Sequence, residues 1–207
     1  MGEIKAVVFD WGGVLIDDPA AGLVRYCSRA LGVTTEQFGE AHEKYITEFQ
    51  KGLISELQFW EKICNDLNIS TPKGYSLWGE AFRDVYSPKE KMFHLATTLK
   101  KNSYKTGLLS NTEAPAVECF YEHNYQMFDV VVFSCTEKTI KPERTIYDVT
   151  LSKLGTKPSE TVFIDNRKDY IQGARQVGMK TVLFKDPSDT IDKLISYSII
   201  VNRTKLM

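Results

Sequence analysis

Net charge is what this chain most plainly lacks: among 207 residues, 26 lysines and arginines offset 27 aspartates and glutamates, leaving −1. With no field of either sign to gather phosphate backbones, and no cluster of more than a few lysines, nucleic acid is not expected as a partner. Cysteine is scarce too. Cys27, Cys64, Cys119 and Cys135 stand singly, without the close pairs of a zinc site or a dithiol redox motif, and read as reduced core thiols. No apolar run approaches the ~18 residues of a membrane span. The N-terminal Met1-Gly2-Glu3-Ile4-Lys5 lacks the basic-then-apolar layout of a signal peptide. A cytoplasmic protein with no membrane partner is therefore expected.

What the chain does have is material for a core. Its 43% hydrophobic and 26% charged residues are the balance of a soluble globular protein, and the length allows one large domain or one domain carrying an insertion. Short apolar runs rich in β-branched residues occur at Ala6 to Phe9, Thr106 to Leu109, Val130 to Phe133, Val162 to Ile164 and Thr181 to Phe184. Such runs suit strands buried on both faces, the habit of parallel sheets. Helical patterns separate the later runs. Ser87-Pro88-Lys89-Glu90 offers a cap serine and a first-turn proline ahead of Met92, Leu95, Ala96 and Leu99. Further helices are expected from Pro142 to Leu154, stopping at Gly155, and from about Asp169 to Val177, stopping at Gly178. The alternation implies an α/β fold with a doubly wound parallel sheet.

Residues 17–86 differ, with helical periodicity throughout and no convincing strand. Leu23, Tyr26, Cys27 and Ala30 mark one helix, Thr34 with Gln37 starts a second, and Ser55 with Gln58 starts a third. We expect a helical insertion there, with a core domain formed by residues 1–16 and 87–207.

Polar clusters end four of the expected strands. The first runs into Asp10-Trp11-Gly12-Gly13, where the glycines let the backbone turn tightly around a ligand. The second ends in Ser110-Asn111-Thr112, and Lys141-Pro142 follows the third. The fourth ends in Asp165-Asn166-Arg167. Taken singly, each has a bland reading: a turn for Asp10, helix caps for Ser110 and Asp165, a solvated loop lysine for Lys141. In an open parallel sheet, however, ligands bind beyond the carboxyl ends of the strands, and four such clusters in the order acid, hydroxyl, lysine, acid point to one site.

These motifs, with Gly173-Ala174 and Gly178 behind the last, make the sequence similar to the haloacid dehalogenase (HAD) superfamily of hydrolases over essentially its whole length. Within it the chain resembles small bacterial sugar-phosphate phosphatases with glycine two places after the nucleophile. The resemblance implies a Rossmann-like core with an inserted helical cap domain at 17–86, and Asp10 as the nucleophile forming an aspartyl-phosphate. It implies Mg²⁺ held by Asp10, the main-chain carbonyl of Gly12 and an oxygen of Asp165 or Asn166. Gly12, Gly13, Ser110, Asn111 and Lys141 would hold the phosphate of a small phosphorylated metabolite, with Lys141 also steadying Asp10.

Two departures stand out. Gly12 occupies the place where most family phosphatases carry a second aspartate as general acid, and Asn166 the place of an acidic metal ligand. Asp17 or Asp18 could replace the missing acid. A phosphatase is the first expectation. The alternatives are a non-catalytic regulatory module, or a metal-independent 2-haloacid dehalogenase, for which an absent proton donor costs nothing. In the insertion, Arg25, Tyr45, Lys51, Trp60 and Trp78 are candidates for leaving-group contact, the tryptophans more naturally as buried packing. His42, His94 and His123 read as structural. Nothing in the sequence sets the oligomeric state.

Overall fold

The computed structural model describes residues 3–201. Met1 and Gly2, part of the N-terminal segment read above for targeting, and residues 202–207 at the end of the expected core domain lie outside the described residues. Five parallel strands form one sheet in the order β3-β2-β1-β4-β5: β1 (Ala6–Phe9), β2 (Lys105–Ser110), β3 (Val130–Phe133), β4 (Thr161–Asp165) and β5 (Lys180–Leu183). The period of two along each strand sends its apolar side chains to both faces. Val7, Phe9, Leu108, Val162 and Ile164 meet α5 (Glu90–Lys101), α6 (Ala114–Glu122) and α10 (Pro187–Ser196) on one side. Ala6, Val8, Leu109, Val132 and Phe163 meet α8 (Arg144–Leu154) and α9 (Lys168–Val177) on the other. This is the doubly wound α/β architecture that the alternating pattern implies.

Four helices, α1 (Ala20–Leu31), α2 (Thr35–Gln50), α3 (Glu56–Leu67) and α4 (Leu77–Val85), intervene between β1 and α5. The capping boxes of Thr34 with Gln37 and of Ser55 with Gln58 are both formed. An aromatic cluster of Phe38, Phe49, Phe59, Trp60 and Trp78 fills the centre of these helices, with Phe49 and Phe59 stacked at 4.4 Å. The two chain crossings into this unit are stitched together. Asp17 N–H donates to Ser87 O at 2.8 Å, Lys89 N–H to Leu15 O at 2.8 Å, and Lys89 Nζ pairs with the Asp17 carboxylate. The far side rests on the loops after β2 and β3, where Ser134 Oγ donates to Gln50 O at 2.6 Å.

Two helix starts differ from the sequence reading. The helix of Met92 begins at Glu90 rather than behind a cap serine, because Ser87 Oγ is spent on Asp17 and Lys89 on Leu15. α8 begins at Arg144, with Glu143 as its cap residue, so Pro142 precedes the helix instead of opening it. The reason is a clamp on residue 141: Asn111 Oδ1 accepts Lys141 N–H at 2.8 Å while Asn111 Nδ2 donates to Lys141 O at 3.0 Å. All four cysteines are buried and free. Among the described residues no helix is long and apolar enough to cross a membrane.

Candidate active site

The four polar clusters converge because β1, β2 and β4 are neighbours, which brings Asp10, Ser110 and Asp165 to one end of the sheet. Lys141 reaches them from the clamped loop before α8. Its side chain has no solvent exposure, and its ammonium donates to Asp10 Oδ1 and to Asp165 Oδ2, each at 2.7 Å, and to Leu109 O at 3.2 Å. The rings of Tyr170 and Phe163 flank it at 4.8 and 5.4 Å. The lysine is therefore a buried counter-ion, not the solvated loop residue of the bland reading.

One cation between two buried carboxylates leaves an excess negative charge. Desolvation, then the charge of Asp165, pushes Asp10 up to about 7 against the opposing pull of Lys141, whose own pKa is raised. The sign of the stability effect follows. Folded Asp10 holds its proton at a pH where the unfolded residue has lost it, so its contribution is complete below the unfolded value near 3.8 and is lost as pH rises towards about 7. In EDTA, Asp10→Asn is expected to melt above wild type at about pH 7.5 and to lose that advantage by about pH 5. A melting difference that does not change with pH would contradict this charge arrangement.

The ends of β1 and β2 open into a cavity of about 240 Å³ between the sheet and three of the four helices, α1, α2 and α4. Asp10, Gly12, Ser110, Asn111, Lys141 and Asn166 line it from the sheet side; Leu23, Val24, His42, Ile46, Gln50, Trp78 and Phe82 line it from the helices. Asp10 is 5% exposed, and its Oδ1 also accepts the Trp11 N–H at 2.7 Å. Asp165 does not line the cavity. Its Oδ2 faces Lys141 and its Oδ1 accepts Arg167 N–H at 2.8 Å, so both oxygens are occupied. Asn111 spends its side chain on the Lys141 clamp and on Tyr170 Oη. Gly13, at φ +85°, is where Asn166 lies closest: a Cβ there would stand 2.3 Å from Asn166 Nδ2, so no other residue admits this contact.

Several candidates fall elsewhere. Asp17 is tied to Ser87 and Lys89, whereas Asp18 reaches the cavity rim. Tyr45 Oη donates to Asp66 at 3.1 Å, Lys51 pairs with Glu143, and Arg25 is exposed on a separate surface groove. Trp60 is buried packing; Trp78 is both packing and cavity wall. Three lining residues carried no signal as site residues in the sequence reading. His42 stacks on Trp78 at 5.6 Å, Gln50 ends α2, and Glu113, only 3% exposed, accepts the Trp78 Nε1–H at 3.0 Å. Glu113 directly follows Ser110-Asn111-Thr112, which is the one signal that could have exposed it.

The haloacid dehalogenase-like hydrolase family matches residues 4–178. This chain belongs to that family. Membership makes it a hydrolase and accounts for the polar clusters at successive strand ends. A HAD family enzyme from Bacteroides thetaiotaomicron, solved with magnesium and inorganic phosphate, shares the fold at a TM-score of 0.69 and 24% identity, covering 88% of this chain and 94% of that one. A HAD-like hydrolase from Porphyromonas gingivalis superposes at 0.76 and 22% identity, over 94% and 98% of the two chains. Among curated proteins, bifunctional epoxide hydrolase 2 of Rattus norvegicus is 26% identical over 213 residues; the match takes in 92% of this chain but 38% of that protein.

Whether this HAD site suits a divalent cation can be judged from its own oxygens. Among the described residues no cluster of three or more His, Cys, Asp or Glu side chains forms a metal cage. Yet Asn166 Oδ1 is buried without a hydrogen-bond partner, an orphaned acceptor on a residue that packs against Gly13 and lines the same cavity as Asp10 and Gly12. The turn leaves Gly12 to one side: the N–H groups of Val14, Leu15 and Ile16 all donate to Trp11 O, and Gly13 N–H donates to Ile16 O. A carboxylate, a carbonyl and an amide oxygen, with room for water, fit a hard cation that keeps part of its hydration.

Proposed function

We propose that the protein is a Mg²⁺-dependent phosphatase of small phosphate monoesters, acting through an aspartyl-phosphate on Asp10, with α1–α4 (within residues 17–86) as its cap domain. The observation that carries this reading is the Asp10 carboxylate, held by Lys141 at the floor of a helix-covered cavity that Ser110 also lines. Asp10 Oδ1 is pinned by the ammonium and by Trp11 N–H, so the carboxylate faces the cavity in one orientation, as a near-attack geometry requires. The Ser110 hydroxyl and the backbone around Asn111 offer donors for phosphate oxygens, and Lys141 lowers the repulsion between carboxylate and phosphate. Asp10, the Gly12 carbonyl and Asn166 would hold Mg²⁺, with Asp165 orienting Lys141 from behind; the ion would supply charge screening and polarise the phosphoryl oxygens. The helices exclude water and select the leaving group. Their mostly apolar wall, Leu23, Val24, Ile46 and Phe82, suits a leaving group with a compact apolar body.

The test is phosphate release over a panel of phosphorylated metabolites, with Mg²⁺ and with EDTA. Release that requires Mg²⁺ is expected. Halide release from 2-haloacids in EDTA, with no phosphate release from any ester, would instead assign the dehalogenase chemistry.

A further inference from the structure

Breaking a phosphate ester to an ordinary alcohol needs a proton on the departing oxygen, and the cavity floor cannot provide one. Asp10 attacks, and Lys141 is committed between Asp10 and Asp165. The remaining titratable side chains on the cavity wall are Asp18, His42, Glu113, Arg167 and Tyr170. Arg167 keeps its protons at any working pH and is paired with Asp169 at 2.8 Å. Burial raises the Tyr170 phenol, and its Oη accepts from Asn111. His42 is shifted downward by burial, so at neutral pH it has no proton surplus to give. Asp18 is exposed at the rim and accepts the Ala20 N–H at 3.0 Å.

Glu113 is unlike these. It sits where the loop after β2 meets α4, nearly without solvent, with Trp78 Nε1–H fixing Oε2 at 3.0 Å. Burial raises its pKa against the opposing hydrogen bonds from Gln50 and Trp78, which favours the acid form that a solvated glutamate loses. Neither of the side chains that hydrogen-bond it, Gln50 and Trp78, carries a charge, and the Lys138 ammonium is felt at the neighbouring Cys135. His42 and Gln50 come from α2 and Trp78 from α4. The Cys135 thiol, on the short helix α7 (Ser134–Glu137), is raised by burial and by Glu113 itself. Glu56, at the start of α3, is turned to Trp78 N–H and Trp60 Nε1.

We propose that Glu113 is the proton-transfer residue of this site, protonating the leaving alcohol and then activating the water that opens the aspartyl-phosphate. The proposal rests on the phosphatase reading. In the first step the Asp10 oxygen–phosphorus bond forms, the ester phosphorus–oxygen bond breaks, and the Glu113 proton passes to that ester oxygen. In the second, water attacks the same phosphorus, its proton returns to the Glu113 carboxylate, the phosphorus bond to Asp10 breaks, and phosphate leaves. Atoms and charges balance with no further reactant.

The experiment compares two esters on the full-length chain with Mg²⁺: p-nitrophenyl phosphate, whose phenolate departs without a proton, and glycerol 3-phosphate, whose alkoxide does not. Glu113→Gln keeps the shape of the side chain and an acceptor for Trp78. In rapid-quench bursts of alcohol release, which read formation of the aspartyl-phosphate alone, it is expected to slow glycerol 3-phosphate by roughly 10²-fold or more and to leave p-nitrophenyl phosphate within about threefold, while steady-state phosphate release, which includes the water step common to both, falls for each. Glu113→Asp, which retains an acid, should keep more of the alkyl-ester activity than the glutamine variant. A residue that merely ties α4 to the sheet would depress both bursts alike, so equal losses in the burst, or no loss in either, overturn the proposal. If Asp10→Asn is inactive while Glu113→Gln leaves the ratio unchanged, this proposal falls and the phosphatase reading stands. Wild-type protein that releases phosphate from no ester of the metabolite panel overturns both; where the panel identifies a better alkyl ester, that ester takes the place of glycerol 3-phosphate.

Discussion

Asp10→Asn is expected to reduce phosphate release by about 10⁴-fold or more, the scale seen when a covalent nucleophile is removed. The substitution is nearly isosteric. The amide oxygen can still accept from Trp11 N–H and Lys141 Nζ, the two donors that orient the native carboxylate at 2.7 Å each. What is lost is the anionic oxygen able to bond to phosphorus. Lys141 keeps Asp165 as an undiminished partner, so the ammonium stays compensated and the fold should persist. Activity and stability therefore move in opposite directions in one variant, with hydrolysis lost while the EDTA melting temperature near neutral pH rises. A collapsed protein would lose both. Single-turnover phosphate release, measured alongside circular dichroism of the same sample, checks the separation. Hydrolysis within tenfold of wild type would mean that water attacks phosphorus directly, and Asp10 would not be the nucleophile.

The parts of the molecule legible from sequence are those in which local pattern and global role agree. β1 and β3 begin and end where their apolar runs do, each run being closed in sequence by a polar residue, Asp10 after Phe9 and Ser134 after Phe133. The capping boxes at Thr34 and Ser55 were readable because all of their partners lie within three residues. Ser87 was misread for the complementary reason. Its preferred partner is Asp17, 70 residues away across the chain crossing, and local chemistry carries no trace of that contact. Pro142 likewise marks a helix start in sequence, but Asn111, 30 residues earlier, holds the preceding residue in another conformation.

The same division runs through the site. Asp10, Ser110, Lys141 and Asn166 could be proposed together because each ends a strand or opens the segment after one, and the order of strands in a doubly wound sheet places those ends side by side. Within the acidic pair, sequence could not choose between Asp165 and Asn166. That choice depends on Lys141 and Arg167 N–H saturating Asp165 while Asn166 Oδ1 is left without a partner. His42, Gln50 and Glu113 face the cavity only through the packing of α2 and α4 onto the loop after β2. A histidine on an amphipathic helix and a glutamate before one are indistinguishable, in sequence, from hundreds of structural equivalents.

Lys141→Met should be the most destabilising single change at this site, costing about 3–5 kcal/mol at neutral pH, a large share of the roughly 5–15 kcal/mol that holds a typical domain together. Methionine matches the length of the lysine stem and fits a position with no exposure, so the cost is not one of volume. It arises because the buried carboxylates of Asp10 and Asp165, each 2.7 Å from the lost ammonium, are left without the counter-charge they share, where the rings of Phe163 and Tyr170 offer none. Two consequences separate this cause from simple mispacking. Acidification should relieve the defect, since Asp10 already binds its proton near pH 7 with Lys141 present and must bind it more tightly without it. Adding Asp10→Asn to Lys141→Met should also restore more stability than Asp10→Asn adds to wild type, because it removes one of two uncompensated charges rather than one of two sharing a cation. A double-mutant cycle by urea unfolding in EDTA measures that coupling. Strict additivity, or a loss under about 1 kcal/mol in Lys141→Met, would show that the ammonium does not hold the two carboxylates in place. The same excess of negative charge that makes the lysine indispensable to the fold leaves the site poised to accept a divalent cation. On the proposed phosphatase reading, destabilisation of the metal-free protein and affinity for Mg²⁺ would be two expressions of one electrostatic arrangement.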